Sequence, residues 1–233
     1  MQEINTKYKG KKFSILGDSI STLKGVSLPE LAVFYEETNM LKSGVYSKEY
    51  TWWWQVINNL QGELLINNSF SGSTVTWHPD YEIQSYGCSD ERTSSLAGAN
   101  NTPDVIMVYL GTNDWGAGRK VTSFDESDML VFSNAYKNML EKLKKNYPLA
   151  EIWCFTLATS KWSANEDFSF PKCYSGRSID EYTNAIKKCA VSCGAKVIDL
   201  TCAPLYDTID GFHPNADGMK TLADVVTSLA LKL

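Results

Sequence analysis

The sequence predicts an α/β fold, a three-layer α/β/α sandwich around about five parallel strands. Three observations lead there. Short apolar runs closed by turn residues recur along the chain, as buried strands do. Segments with a 3.6-residue apolar period lie between them, the alternation that βαβ crossovers produce. Three long connections each follow a strand, which places them together on the carboxyl-end rim, where open α/β sheets bind ligands.

The first strand is Phe13-Ser14-Ile15-Leu16, closed by Gly17 and opening into Asp18-Ser19. A helix over residues 51–61 carries Trp53, Val56, Ile57 and Leu60, and its Trp52-Trp53-Trp54 run reads as packing. Strands follow at 64–68 and 104–110. Residues 128–147 repeat apolar side chains at helical spacing until Pro148 ends the pattern. A strand at 151–157 precedes Ser178-Ile179-Asp180-Glu181, a capping box that opens a helix with Cys189 and Cys193 on its apolar face. Residues 196–200 form the last strand, and Asn215 caps a last helix bearing Met219, Leu222 and Val226. This layering is flavodoxin-like. With no internal repeat and no Pro-, Gly- or Ser-rich linker, residues 1–233 read as one domain.

Bulk composition excludes several functions. Lys plus Arg number 22 against 27 Asp plus Glu, a net charge of −5, where a nucleic-acid partner demands a basic surface. The basic stretch 7–12 reads as a solvated segment. No run reaches the ~20 apolar residues of a membrane helix, so no membrane partner is expected. Met1-Gln2-Glu3-Ile4-Asn5 lacks an apolar leader core; the chain reads as cytoplasmic, although a trimmed secreted chain would look the same. Cys88, Cys154, Cys173, Cys189, Cys193 and Cys202 then read as reduced thiols. With two histidines and no Cys-x-x-Cys, no metal is expected. No cofactor is expected either, because Walker A, His-Glu-x-x-His and Gly-x-Gly-x-x-Gly patterns are missing. A Gly-x-Ser-x-Gly elbow is missing too, which disfavours the α/β-hydrolase fold.

Along the rim, the polar residues form a set. Ser19 follows the first strand, Ser69-Phe70-Ser71-Gly72-Ser73 the second, Gly111-Thr112-Asn113-Asp114 the third, and Asp210-Gly211-Phe212-His213 precedes the last helix. A serine hydroxyl attacks well only when a base takes its proton. Histidine suits that exchange at neutral pH, and an acid bound to its second ring nitrogen fixes the tautomer. Candidate donors to an oxyanion are the Ser19 and Gly72 N–H groups and the Asn113 amide. Asp18 and Asp114 read as turn-stabilising.

Gly17-Asp18-Ser19, Gly72, Gly111-Thr112-Asn113-Asp114 and Asp210-x-x-His213, in that order, resemble the blocks of the SGNH hydrolases, the GDSL esterase family. Ile20 stands where the family name has Leu. The resemblance implies Ser19 as nucleophile, His213 as base, Asp210 as its orienting acid, and Ser19, Gly72 and Asn113 as oxyanion donors.

Seven tryptophans and twelve tyrosines supply flat surfaces. Trp115 and Trp77 are candidates to bind substrate, with Trp162, Phe168, Phe170 and Tyr174 also on rim loops. Arg92 reads either as an anchor for an acidic group or as half of a surface ion pair. The expected substrate is a small acyl ester, such as an O-acetylated carbohydrate, cleaved through an acyl-enzyme on Ser19. The alternative is a non-catalytic carbohydrate-binding module on the same fold.

Overall fold

The computed structural model describes residues 7–28, 32–78 and 85–233. The first five residues, read above for a leader, lie outside them. In chain order the elements are β1 (Lys12–Gly17), α1 (Glu37–Ser43), α2 (Trp52–Asn59), β2 (Glu63–Ser69), α3 (Asp90–Ser94), β3 (Val105–Tyr109), α4 (Thr112–Gly116), α5 (Phe132–Asn146), β4 (Glu151–Phe155), α6 (Ile179–Ser192), β5 (Lys196–Ile198) and α7 (Ala216–Ala230).

The five strands form one parallel sheet in the order β2-β1-β3-β4-β5. Alternate residues of β3 face opposite layers. Val105, Met107 and Tyr109 join α2 and α7 in one core, and Ile106 and Val108 join α5 and α6 in the other. All five residues of β3 are buried, as a parallel strand covered on both faces requires. This is the three-layer α/β/α sandwich that the sequence predicts. Gly17 pairs with both Ser69 and Tyr109, so β2, β1 and β3 end level and their following turns share one rim.

Local chemistry explains the boundaries. Thr51 caps α2 by accepting from the Trp54 N–H, and Trp52 and Trp53 are buried as expected of packing residues. The capping box of Ser178 and Glu181 is formed, and Cys189 and Cys193 are buried in the core beside α5. Beyond α4, a single turn of helix that the sequence reading does not foresee, two elements differ from expectation. Residues 128–131 are not helical, because Asp128 turns its carboxylate back onto the Leu130 N–H and α5 begins only at Phe132. α1 is an additional helix whose only buried residue is Ser43, so it has no apolar stripe to announce it. No helix among the described residues is long and apolar enough to cross a membrane.

Candidate active site

The nucleophile turn is built from β1 outward. A Cβ on Gly17 would come within 2.8 Å of both Ser21 and Ser69 side chains, so only glycine lets the chain fold back this tightly. Asp18 accepts from the Ile20 N–H at 3.1 Å and caps one turn of 3₁₀ helix, Ser19–Ser21. Thr22 Oγ1 donates to the Ser19 carbonyl at 2.8 Å. From below, the Trp53 indole N–H and the Asn67 amide both donate to the Ser21 carbonyl, at 3.0 and 2.9 Å. The buried Asp18 carboxyl is pushed up to about 7 by burial, against the pull of the Ile20 N–H and of the His213 and Arg92 charges.

Ser19 Oγ lies 2.9 Å from His213 Nε2, across 194 positions of sequence. On the other side of the ring, Nδ1 lies 2.6 Å from Asp210 Oδ2. The second oxygen of Asp210 accepts from the Phe212 and His213 N–H groups at 3.0 and 2.8 Å. Burial works to raise the Asp210 pKa, but the hydrogen bonds from the His213 side chain and backbone outweigh it and leave it lowered. An ionised Asp210 draws the ring proton to Nδ1 and leaves the Nε2 lone pair facing Ser19. The four-residue Asp-x-x-His loop thus fixes both the tautomer and the aim of the His213 imidazole.

Asn113, on α4, donates from Nδ2 to the Ser73 carbonyl at 2.9 Å. Next to it, Asp114 is fully buried and accepts from the Val75 and Thr76 N–H groups and from Thr76 Oγ1, at 2.7, 3.1 and 2.8 Å. Burial raises its pKa to about 6, opposed by those same bonds. Asp114 therefore ties the turn after β2 to the turn after β3 as one unit. Gly72 sits in that unit at φ +83°, a left-handed conformation suited to glycine.

Two cavities flank this unit. One, of about 210 Å³, is lined by Ser19, His213, Ile20, Trp115 and Phe212, with Asn113 and Tyr174. The other, of about 580 Å³, is lined by Gly72, Phe70, Tyr86, Ser85, Asn113 and Tyr174. Asn113 and Tyr174 belong to both. Tyr174 is 47% exposed and packs against Trp115 and Phe212 at ring distances of 5.7 and 6.4 Å.

The structure corrects two of the substrate-binding expectations. Arg92 is 2% exposed and is neither a ligand anchor nor half of a surface ion pair. Its guanidinium donates to the Gly17 and Asn68 carbonyls at 3.0 and 2.8 Å, and to Ser73 Oγ and Ser85 Oγ at 3.0 and 2.7 Å. It holds together the ends of β1 and β2 and the Gly72 turn. Trp77 is 41% exposed and lines neither cavity; it lines an adjoining depression with Cys88, Lys142 and Tyr86, the last shared with the larger cavity. Trp115 does line the smaller cavity, with its indole N–H tied to the Arg177 carbonyl at 3.0 Å. Phe212 and Ile20 line it too, and sequence reasoning passed over both. Their signal was adjacency, one beside His213 and the other beside Ser19.

A family model described as GDSL-like lipase/acylhydrolase matches residues 11–230. Among solved structures, a protein from Bacteroides uniformis assigned as a GDSL-like lipase has a TM-score of 0.70 at 30% identity, covering 94% of each chain. One from Bacteroides ovatus, likewise assigned, gives 0.72 at 24% identity over 97% of this chain and 100% of that one. Est24, a carbohydrate acetylesterase from Sinorhizobium meliloti, shares the fold with a TM-score of 0.64 at 16% identity, covering 95% of this chain and 97% of that one. A stretch of 52 residues is 42% identical to the cellulase/esterase CelE of Acetivibrio thermocellus, covering 22% of this chain and 6% of that protein's length. With motif order, fold and a match running almost end to end in agreement, the chain belongs to the GDSL-like lipase/acylhydrolase family and is a serine hydrolase acting on esters.

Proposed function

We propose that this protein removes small acyl groups from an ester whose alcohol half is a carbohydrate or a similarly compact polar molecule. The observation that carries the reading is the unbroken chain from Asp210 through His213 to Ser19, opening into a cavity of about 210 Å³. In this reading Ser19 Oγ attacks the ester carbonyl carbon while its proton passes to His213 Nε2. The carbonyl oxygen, now negative, is met by the Ser19 and Gly72 N–H groups and the Asn113 amide. Collapse breaks the bond to the alcohol oxygen, which leaves with the proton from His213. Water, deprotonated by His213, then cleaves the acyl-enzyme and releases the acid and Ser19.

Two observations support a small acyl group and a sugar-like alcohol. The cavity beside Ser19 is short and walled by Ile20, Trp115 and Phe212. Its larger neighbour presents hydroxyls from Ser71, Thr74, Ser85, Tyr86 and Tyr174 and, among the described residues, no charged side chain, a lining suited to an uncharged polyol. The shared fold with a carbohydrate acetylesterase agrees with this reading.

A fluorophosphonate probe tests it. Wild type is expected to label covalently and to hydrolyse short p-nitrophenyl esters and acetylated sugars, with S19A losing both activities. Wild type that neither labels nor hydrolyses any of these would favour a carbohydrate-binding module instead.

A further inference from the structure

The ring of Phe34 lies flat against the imidazole of His213, with centroids 3.6 Å apart and planes 11° from parallel. Phe34 belongs to the long connection after β1, and its backbone is fastened to the nucleophile turn. Its N–H donates to Thr22 Oγ1 at 2.9 Å, and that hydroxyl donates to the Ser19 carbonyl at 2.8 Å. Its carbonyl accepts from the Asn39 amide at 2.8 Å. The next residue, Tyr35, is fully buried and donates its hydroxyl to the Pro214 carbonyl at 2.7 Å, one residue beyond the base. One short segment therefore grips the neighbours of both the hydroxyl and the imidazole.

A ring hydrogen-bonded to Asp210 at Nδ1 alone can still swing about that bond and carry Nε2 away from Ser19. A flat surface against one face removes the swing. We propose that Phe34 is a positioning residue which holds the plane of the His213 imidazole so that Nε2 stays aimed at Ser19 Oγ. Phe34 lines neither of the two cavities at the site, so it acts through His213 and not on the ester. The inference rests on the reading of His213 as base.

The test compares F34A, F34L and F34Y with wild type and H213A. Steady-state hydrolysis of p-nitrophenyl acetate, the rate of fluorophosphonate labelling and Tm are measured for each. F34A and F34L are expected to lose roughly tenfold or more in kcat and in labelling rate, the scale of a misaimed catalytic group. KM should stay within about twofold, because substrate contacts are untouched. F34Y, which keeps a flat ring, should recover most of the loss. F34L matches Phe34 in apolar bulk, so its Tm should stay near wild type. The proposal is overturned if F34L retains wild-type kcat, if the loss falls on KM, if F34Y is as slow as F34L, or if activity merely follows Tm. H213A separates the two levels. A fully active H213A removes the base itself, whereas an inactive H213A beside a normal F34L removes only the role of Phe34.

Discussion

Asn113 has two amide protons and directs one to the Ser73 carbonyl; in the proposed mechanism the other meets the developing oxyanion. N113A should lower kcat by about 10²–10³-fold with little change in KM, as loss of one preorganised donor does; steady-state kinetics on a short ester measures the split. Arg92 makes the opposite kind of contribution. Removing its guanidinium in R92M takes a donor from the Asn68 carbonyl, from the hydroxyls of Ser73 and Ser85, and from the Gly17 carbonyl, which keeps the Phe70 N–H. The expected cost is roughly 1–3 kcal/mol of stability, read by denaturant unfolding. R92K should recover little of it, because an ammonium cannot span the same fork of acceptors. At this scale Ser19, Asp210 and His213 were legible because a four-residue loop and a strand-end turn carry their geometry within them. Arg92 was not, since a sequence does not record burial and a charged side chain usually lies at the surface.

Elements were read well where an apolar period ran for several turns, as in α5, α6 and α7, and where capping residues marked an end. They were missed where a helix buries almost nothing, as α1 does, or lasts barely one turn, as α4 does. α7 bears directly on the site because Gly218, in its first turn, sits against the residues that precede the Asp210–His213 loop. A Cβ there would stand 2.0 Å from the Asp207 carbonyl oxygen, to which the Asn215 N–H also donates at 3.1 Å. G218A must push the helix away from the Asp207 backbone. The expected result is a loss of about 1–3 kcal/mol from overpacking and a fall in kcat, because the loop between the two displaced parts holds both acid and base. Calorimetry and steady-state kinetics on the same sample measure the two effects. A variant with both stability and kcat unchanged would show that the helix adapts without disturbing the loop.

Across the whole molecule, the right-handed crossover rule and five apolar runs led to the layered sheet. Which strands become neighbours is set by crossovers that sequence periodicity does not encode. The level ends of β1, β2 and β3 therefore had to be seen. Folding also buries two carboxyls behind that rim, and this links stability to pH. Asp18 moves from 3.8 to about 7 and Asp114 from 3.8 to about 6, both chiefly through burial. In the window between those values the folded state holds a proton that the unfolded chain has released. The associated stabilisation is complete below about pH 4 and disappears as pH rises through about 6 to 7. D18N cannot titrate, so the Tm advantage of wild type over D18N should shrink from pH 5 to pH 8. A difference that stays flat across that range would mean that Asp18 does not change protonation there.

The 194-residue separation between the serine and its histidine has a consequence for biosynthesis. A ribosome delivers Ser19 before His213, so while the residues between them are being made the emerging polypeptide holds a hydroxyl no more reactive than any other. In the proposed mechanism hydrolytic power arrives only when α7 docks and brings His213 to Ser19, so a copy in which that has not happened is chemically silent.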